Sequence, residues 1–346
     1  MRGAKREIDS PEQELIEAAR RGDPDAFERL VAPYRGELHA HCYRMLGSVQ
    51  DAEDALQDAL LGAWRGLPGF AGRSTVRVWL YRITTNVCLR LGRRRPKRLL
   101  PLDYRPASNA VHDLGEPVDE PVWLEPYPDW RLEQAATAVD PAARYELRES
   151  VELAFVTALQ ALPARQRAVL MLRDVLAFSA AEVAAMLDTT VPSVNSALQR
   201  ATKGLTPRLP EETQQATLRT LGEDGRRELV DAFVAAWERA DVPALLDLLV
   251  GDARFTMPPL PAWLSGRDAI GRFMHERMFA TPWRLVPLWA SGQLAFACYQ
   301  GTPGGSAFRL GALNVLTLRG GRIAALTAFL DPTVYDQFGL PRELAA

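Results

Sequence analysis

Residues 162–205, LPARQRAVLMLRDVLAFSAAEVAAMLDTTVPSVNSALQRATKGL, constrain the chain more than any other stretch, because capped helices joined by a tight turn bury their apolar sides in few ways. Val169, Leu170 and the run from Leu172 to Leu176 read as one apolar helix. Ser179 with Glu182 three residues on has the pattern of a capping box, so a second helix starts there and buries Val183, Met186 and Leu187. A four-residue turn follows. Thr190 can cap a third helix, and Pro192 fits its first turn, where a missing N–H costs nothing. Val194, Leu198, Ala201 and Leu205 set the buried stripe of this helix and turn Ser193, Asn195, Ser196, Gln199, Arg200 and Lys203 outward. An outward polar face after a tight turn is how helix-turn-helix proteins present side chains to a major groove, although a plain helical bundle can show the same spacing.

The rest of the chain bears on that choice. Its 346 residues exceed what one small core holds, so two or three domains are expected. With 47% hydrophobic and 24% charged residues, global disorder is excluded. A formal net charge of −2 requires any DNA-binding surface to come from segregated positive charge. Cys42, Cys88 and Cys298 are far apart and form no CxxC pair, and His39 and His41 point to different helix faces, so neither a metal nor another cofactor is expected. The opening MRGAKREIDS lacks the apolar core of a signal peptide, and no run reaches the length of a membrane span; a cytoplasmic protein without membrane contact is expected.

Ser10-Pro11-Glu12-Gln13 opens a first helix, which Gly22-Asp23-Pro24 ends; helix continues over 25–46 until Gly47-Ser48. The next helix, SVQDAEDALQDALLGAWRGL, buries Leu56, Leu60, Ala63 and Trp64 and places Asp51, Asp54 and Asp58 on another face. Three acids at this spacing repel one another by a few tenths of a kcal/mol per close pair, so the face is either solvated or a docking surface for a basic partner. After a loop at 66–72, STVRVWLYRITTNVCLRLGRRRPKRLL forms a basic helix and tail that supply the segregated charge. Arg77, Arg82, Arg90, Arg93 and Arg94 can neutralise phosphates, while Phe70 and Trp79 either stack on unpaired bases or belong to the core. Residues 101–141 are rich in proline and acid and read as an extended linker, in which Trp123, Leu124 and Tyr127 are too apolar for a mere spacer and are expected to dock.

DAEDALQDALLGAW, then VWLYRITTNVCLRLGRR, then the helix-turn-helix together resemble an extracytoplasmic-function (ECF) RNA polymerase sigma factor of the sigma-70 family. The resemblance implies that Asp51, Asp54, Asp58 and Trp64 dock on core RNA polymerase. It implies that Phe70 to Arg95, including Asn86, melt and read a promoter −10 element, and that the outer face of the last helix reads a −35 element. An anti-sigma factor is a further partner the resemblance allows. The recognition helix departs from relatives that carry basic residues at the positions of Asn195 and Ala197, so promoter preference does not transfer.

About 140 residues follow. Helices at RRELVDAFVAAWERAD, PALLDLLV and GRDAIGRFMHERMF precede period-two stretches, with Arg319-Gly320-Gly321-Arg322 as a hairpin turn, which makes an α+β unit. This part resembles the SnoaL-like cone fold, a curved antiparallel sheet around helices. Met257, Trp263, His275, Trp289, Tyr299, Arg309 and Asp331 are its pocket candidates; an enzyme would want His275 or Asp331 as an acid/base there, and the alternative is that both are surface or structurally hydrogen-bonded residues. The expected organisation is therefore multidomain: an all-α lobe at 10–98, a linker at 99–145, a second all-α lobe at 146–209 and an α+β SnoaL-like domain at 223–346. A sigma factor whose last domain tunes its activity is the expected function. The alternatives are a DNA-binding regulator fused to a ligand-binding or catalytic domain, and a helix-turn-helix repressor that needs no polymerase.

Overall fold

The computed structural model describes residues 10–108, 112–118, 123–135, 141–301 and 307–345. The first lobe holds α1 (Ser10–Arg20), α2 (Pro24–Val31), α3 (Arg35–Leu46), α4 (Val49–Gly66) and α5 (Val76–Leu91). Ser48 and Thr75 cap α4 and α5 by accepting the N–H of Asp51 and Val78. The helix expected over 25–46 is broken by a 3-10 turn at Ala32–Tyr34, because Pro33 has no N–H and disfavours helical geometry before it. The linker is interrupted by α6 (Pro101–Tyr104), α7 (Asp129–Ala135) and α8 (Pro141–Glu149). Parts of it lie outside the described residues.

The second lobe holds α9 (Leu153–Ala161), α10 (Ala164–Leu170), α11 (Ala180–Met186) and α12 (Val191–Leu205). The helix expected through Leu176 ends α-helical geometry at Leu170 and passes into a π turn at Met171–Val175. The capping box of Ser179 and Glu182 forms in both directions, and Thr190 caps α12 through the Ser193 N–H.

The third body begins with α13 (Gln214–Glu238), which starts twelve residues before the expected helix and bends at Gly222. It continues with α14 (Val242–Leu248), β1 (Leu249–Thr256), β2 (Trp263–Ser265), α15 (Arg267–Glu276), β3 (Trp283–Ala290), β4 (Gln293–Gly301), β5 (Ala307–Arg319), β6 (Arg322–Phe329), α16 (Pro332–Asp336) and β7 (Glu343–Ala345). The sheet order is β2-β1-β6-β5-β4-β3, with β7 beside β5. It is antiparallel except between β1 and β6, which run parallel. A fully antiparallel sheet was expected; the long route from β1 to β6 through α15 and four strands permits the parallel pair.

Both faces of this sheet are covered. On β4, Leu294, Phe296 and Cys298 enter the interior of the cone, while Ala295 between them joins the core of the helical lobes. On β5, Leu316 and Leu318 face the cone, while Leu313 and Val315 join Phe329, Tyr335 and the lobes. This is why β4 reads QLAFACYQ, apolar at nearly every position, and not in strict alternation. Each fully buried Leu, Val or Phe contributes about 1.5–3 kcal/mol, so the outer face is bound to the lobes by packing and not only by the chain connection. Among the described residues no helix is long and apolar enough to cross a membrane.

Candidate nucleic-acid interface and domain junction

The outer face of α12 is built as expected. Val194, Ala201 and Leu205 are buried against the lobe, and Ser193, Asn195, Ser196, Gln199, Arg200 and Lys203 are all exposed. Asn195 and Gln199 can each pair bidentately with adenine, and Arg200 with guanine or phosphate.

The basic helix α5 is placed differently. Phe70 is buried, with its ring 4.9 Å from that of Trp79. Arg77 makes a two-point ion pair with Glu37, Nε to Oε1 at 3.2 Å and Nη2 to Oε2 at 3.1 Å, and its guanidinium stacks 4.7 Å from the ring of Phe178 on the second lobe. Asn86 donates to the Met186 carbonyl at the end of α11 at 3.3 Å. A crevice of about 320 Å³ between α5 and α11 is lined by Phe70, Trp79, Arg82, Glu182 and Met186. Of the residues expected to face DNA, Phe70 is thus buried, Arg77 is half-buried in its contacts with Glu37 and Phe178, and Asn86, though exposed, already donates to the end of α11. Arg82, Arg90, Arg93 and Arg94 remain exposed.

The acidic face of α4 also differs from expectation, because part of its counter-charge comes from the same chain. Asp51 is buried and pairs with Arg98, Nη2 to Oδ2 at 2.6 Å, and with Arg95. Removing one partner of such a buried pair leaves an uncompensated charge, at a cost of about 3–5 kcal/mol, so Asp51 is a structural residue in this arrangement and not part of an exposed acidic line. Asp54 lies 3.5 Å from Arg95 and Asp58 3.2 Å from Arg90; both are exposed. Trp64 packs edge-on against Phe27 at 5.1 Å. Leu61, 54% exposed beside Asp58, was not anticipated; the signal was an apolar residue on the outer face of an acidic helix.

The linker cluster docks firmly. Trp123, Leu124 and Tyr127 are buried. Leu124 N–H donates to the Leu99 carbonyl, the Tyr43 hydroxyl to the Glu125 carbonyl at 2.7 Å, and Glu125 Oε2 accepts the Val49 N–H at 2.7 Å, a second cap on α4. The Tyr127 hydroxyl lies 2.8 Å from Nδ1 of His39, whose pKa is pushed down to about 4 by burial and by Arg131, with Glu53 opposing.

From the other side, the β3–β4 hairpin tip at Ser291-Gly292 enters this cluster. Ser291 N–H donates to the Tyr127 carbonyl, Tyr127 N–H to Ser291 Oγ at 2.9 Å, Gly292 N–H to Asp129 Oδ1 at 2.9 Å, and Leu153 N–H to Gln293 Oε1 at 3.0 Å. Gln215 Nε2 donates to the Gly292 carbonyl. Four segments, the linker, the start of α9, the start of α13 and the hairpin, meet at this point.

Two buried carboxyls sit here. Burial pushes Asp129 up to about 6, against the Gly292 amide, and Glu152 up to about 7, against the Gln214 and Gln215 amides it accepts at 3.0 and 2.9 Å. Each favours the folded form when protonated, a contribution present below the ordinary carboxylate range and lost as pH rises through 6 to 7. Asp129→Asn keeps an acceptor for Gly292 without the charge. It is expected to stabilise the protein by about 3 kcal/mol at about pH 8, with the gain shrinking towards zero by about pH 4. Thermal melts across that range test this, and a pH-independent difference between variant and parent would contradict it.

The pocket candidates of the third body do not converge. Trp263 donates to the Arg105 carbonyl at 2.8 Å, His275 is exposed on α15, the Tyr299 hydroxyl donates to the Pro341 carbonyl at 3.0 Å, and Asp331 caps α16 through Thr333. Trp289 and Arg309 lie on the strands β3 and β5, with Arg309 paired to Glu343 at 2.8 Å, and Met257 is buried in the cone. The cone interior is filled by Phe233, Trp237, Phe255, Phe273 and Phe296.

Two helical lobes, one with an exposed recognition helix, and a cone-shaped α+β body define a sigma-70-type protein with an appended SnoaL-like domain. The sigma-70 region 2 family matches residues 30–98, the sigma-70 region 4 family residues 152–205, and the SnoaL-like domain family residues 230–326. The ECF RNA polymerase sigma factor SigG of Mycobacterium tuberculosis is 42% identical over 329 residues, 94% of this chain and 86% of that protein. The chain belongs to the ECF RNA polymerase sigma factors, which initiate transcription. The RNA polymerase sigma-H factor of Pseudomonas aeruginosa is 29% identical over 195 residues, 56% of this chain and 91% of that one. The crystal structure of the M. tuberculosis ECF sigma factor SigJ shares the fold, with a TM-score of 0.55 at 22% identity over 89% of this chain and 97% of that one.

Proposed function

We propose that this sigma factor brings core RNA polymerase to promoters through two reading surfaces, α12 for the −35 element and α5 with the loop before it for the −10 element. We further propose that the C-terminal domain holds these surfaces in a closed arrangement that polymerase must open. The exposed acids Asp54 and Asp58 with Leu61 are the proposed docking contacts on core polymerase. The observation that carries the reading is the Ser291-Gly292 hairpin tip, hydrogen-bonded to the linker on one side and to the starts of α9 and α13 on the other. With that tip seated, α11 covers part of α5 and takes up Asn86, so −10 reading requires the lobes to part. A covalently attached domain has a high effective concentration and serves as a restraint without a separate inhibitor. Because the pocket candidates do not converge, a restraining role is favoured over a catalytic one for this domain. The protein acts in the cytoplasm, where polymerase is.

Spin labels at Ser74→Cys before α5 and Thr202→Cys on α12, both exposed positions, report the separation of the lobes. The free chain is expected to give one short distance that lengthens when core polymerase is added. A long distance in the free chain, or no change on binding, would overturn the closed reading.

A further inference from the structure

The first turn of α12 is apolar where the rest of its outer face is polar. Val191 is 39% exposed at the first position of the helix, and the ring of Pro192 beside it is exposed as well. Of the large apolar side chains exposed among the described residues, Val191 alone lies on α12; Leu61, Tyr104, Trp130 and Val286 lie on other elements. The fold has no use for a valine at this position. Its side chain stays out of the core, Thr190 supplies the cap, and valine is a poorer helix former than alanine.

The neighbouring hydroxyls do not make this turn a hydrogen-bonding one. Thr190 donates to Ser193 Oγ at 3.0 Å and accepts the Ser193 N–H at 3.3 Å, so the two are tied to each other, and Pro192 has no N–H. Four and eight residues on, Asn195 and Gln199 are exposed along the same row as Val191. The row therefore carries methyl groups at its leading end and amide groups behind them. Each Cα–Cβ bond tilts towards the helix start, which sends the valine methyls ahead of the amides.

Base edges in a major groove present hydrogen-bond donors and acceptors with one apolar exception, the 5-methyl group of thymine. The N-terminal residues of a recognition helix are the ones that meet those edges. We propose that Val191 is a specificity-determining residue that packs on the methyl group of a thymine in the −35 element. The inference rests on α12 being the −35 reader and adds a base identity to that reading. A phosphate is the poorer match, because the side chains of Val191 and Pro192 hold no hydrogen-bond donor.

Deoxyuridine substitution tests this, since it removes the methyl group of a thymine and leaves the hydrogen-bonding edges in place. The probe is a duplex enriched from a random library by core RNA polymerase carrying the full chain, with each thymine of the upstream protected segment replaced in turn. At one thymine the replacement is expected to weaken binding about fourfold, the worth of one buried methyl group. With Val191→Ala, which spares the helix because alanine is the better helix former, the same replacement should cost less than about 1.5-fold. No sensitive thymine, or an equal loss in the Val191→Ala chain, would overturn the assignment; weaker binding of the same probe by Asn195→Ala would then show that α12 still reads the segment. A probe bound equally by the parent and Asn195→Ala chains would overturn the α12 reading, and the Val191 assignment with it.

Discussion

Gly292→Val is expected to unlatch the C-terminal domain from the two helical lobes. Gly292 has left-handed backbone geometry, φ +68°, and a Cβ there would lie 2.9 Å from the Arg148 carbonyl oxygen and 3.0 Å from Gln215 Nε2. A β-branched residue in this backbone region costs about 1–2 kcal/mol, and the contact with the Arg148 backbone adds to it because that atom cannot swing aside. The clash falls on the joint itself, so relief comes by withdrawing the hairpin from the linker and the starts of α9 and α13. Limited proteolysis should then cut the segment between α12 and α13 much faster, and run-off transcription per polymerase should rise several-fold. Gly320→Val is the matched control: φ is +56°, and nothing lies within 4 Å of its Cβ, so it bears the backbone strain without touching the joint. Equal proteolysis and equal transcription in the two variants would show that the hairpin tip is not the latch.

The helical part of this account was legible in the sequence wherever the signal was local. Ser179 with Glu182 and Thr190 with Ser193 are caps a few residues long, and they formed as read. The stripe of Val194, Ala201 and Leu205 fixed which face of α12 is exposed, and the apolar Trp123-Leu124 and Tyr127 marked a docking segment before its partner was known. What escaped was non-local. Glu125 caps a helix 76 residues away, Glu152 a helix 62 residues away, and Asp129 an amide 163 residues away, and nothing in their own surroundings sets these acids apart from solvated ones. Asp51 was misplaced for the same reason, since the arginines that bury it come from a tail 47 residues on that folds back across α4. Alternation signals a strand only where one face of the sheet is wet. β4 breaks that pattern because the lobes cover its outer face, and β1 was hidden because VGDARFT follows the apolar LLDLLV run without a turn signal.

The second large effect concerns the recognition helix. All six polar residues of the α12 face are exposed, and each good bidentate contact to a base is worth about 1–3 kcal/mol of discrimination. Asn195→Ala with Arg200→Ala removes two such groups. Because the helix is held by Val194, Ala201 and Leu205 on its opposite side and by Thr190 at its start, the fold should be spared. Run-off transcription by core RNA polymerase, supplied with the intact chain or with this double variant, separates promoter reading by α12 from polymerase binding. The intact chain is expected to direct initiation at defined start sites, and the variant to lose about a hundredfold or more of that transcript while still binding core polymerase. Equal transcript from the same start sites with both proteins, or none with the intact chain, would contradict it.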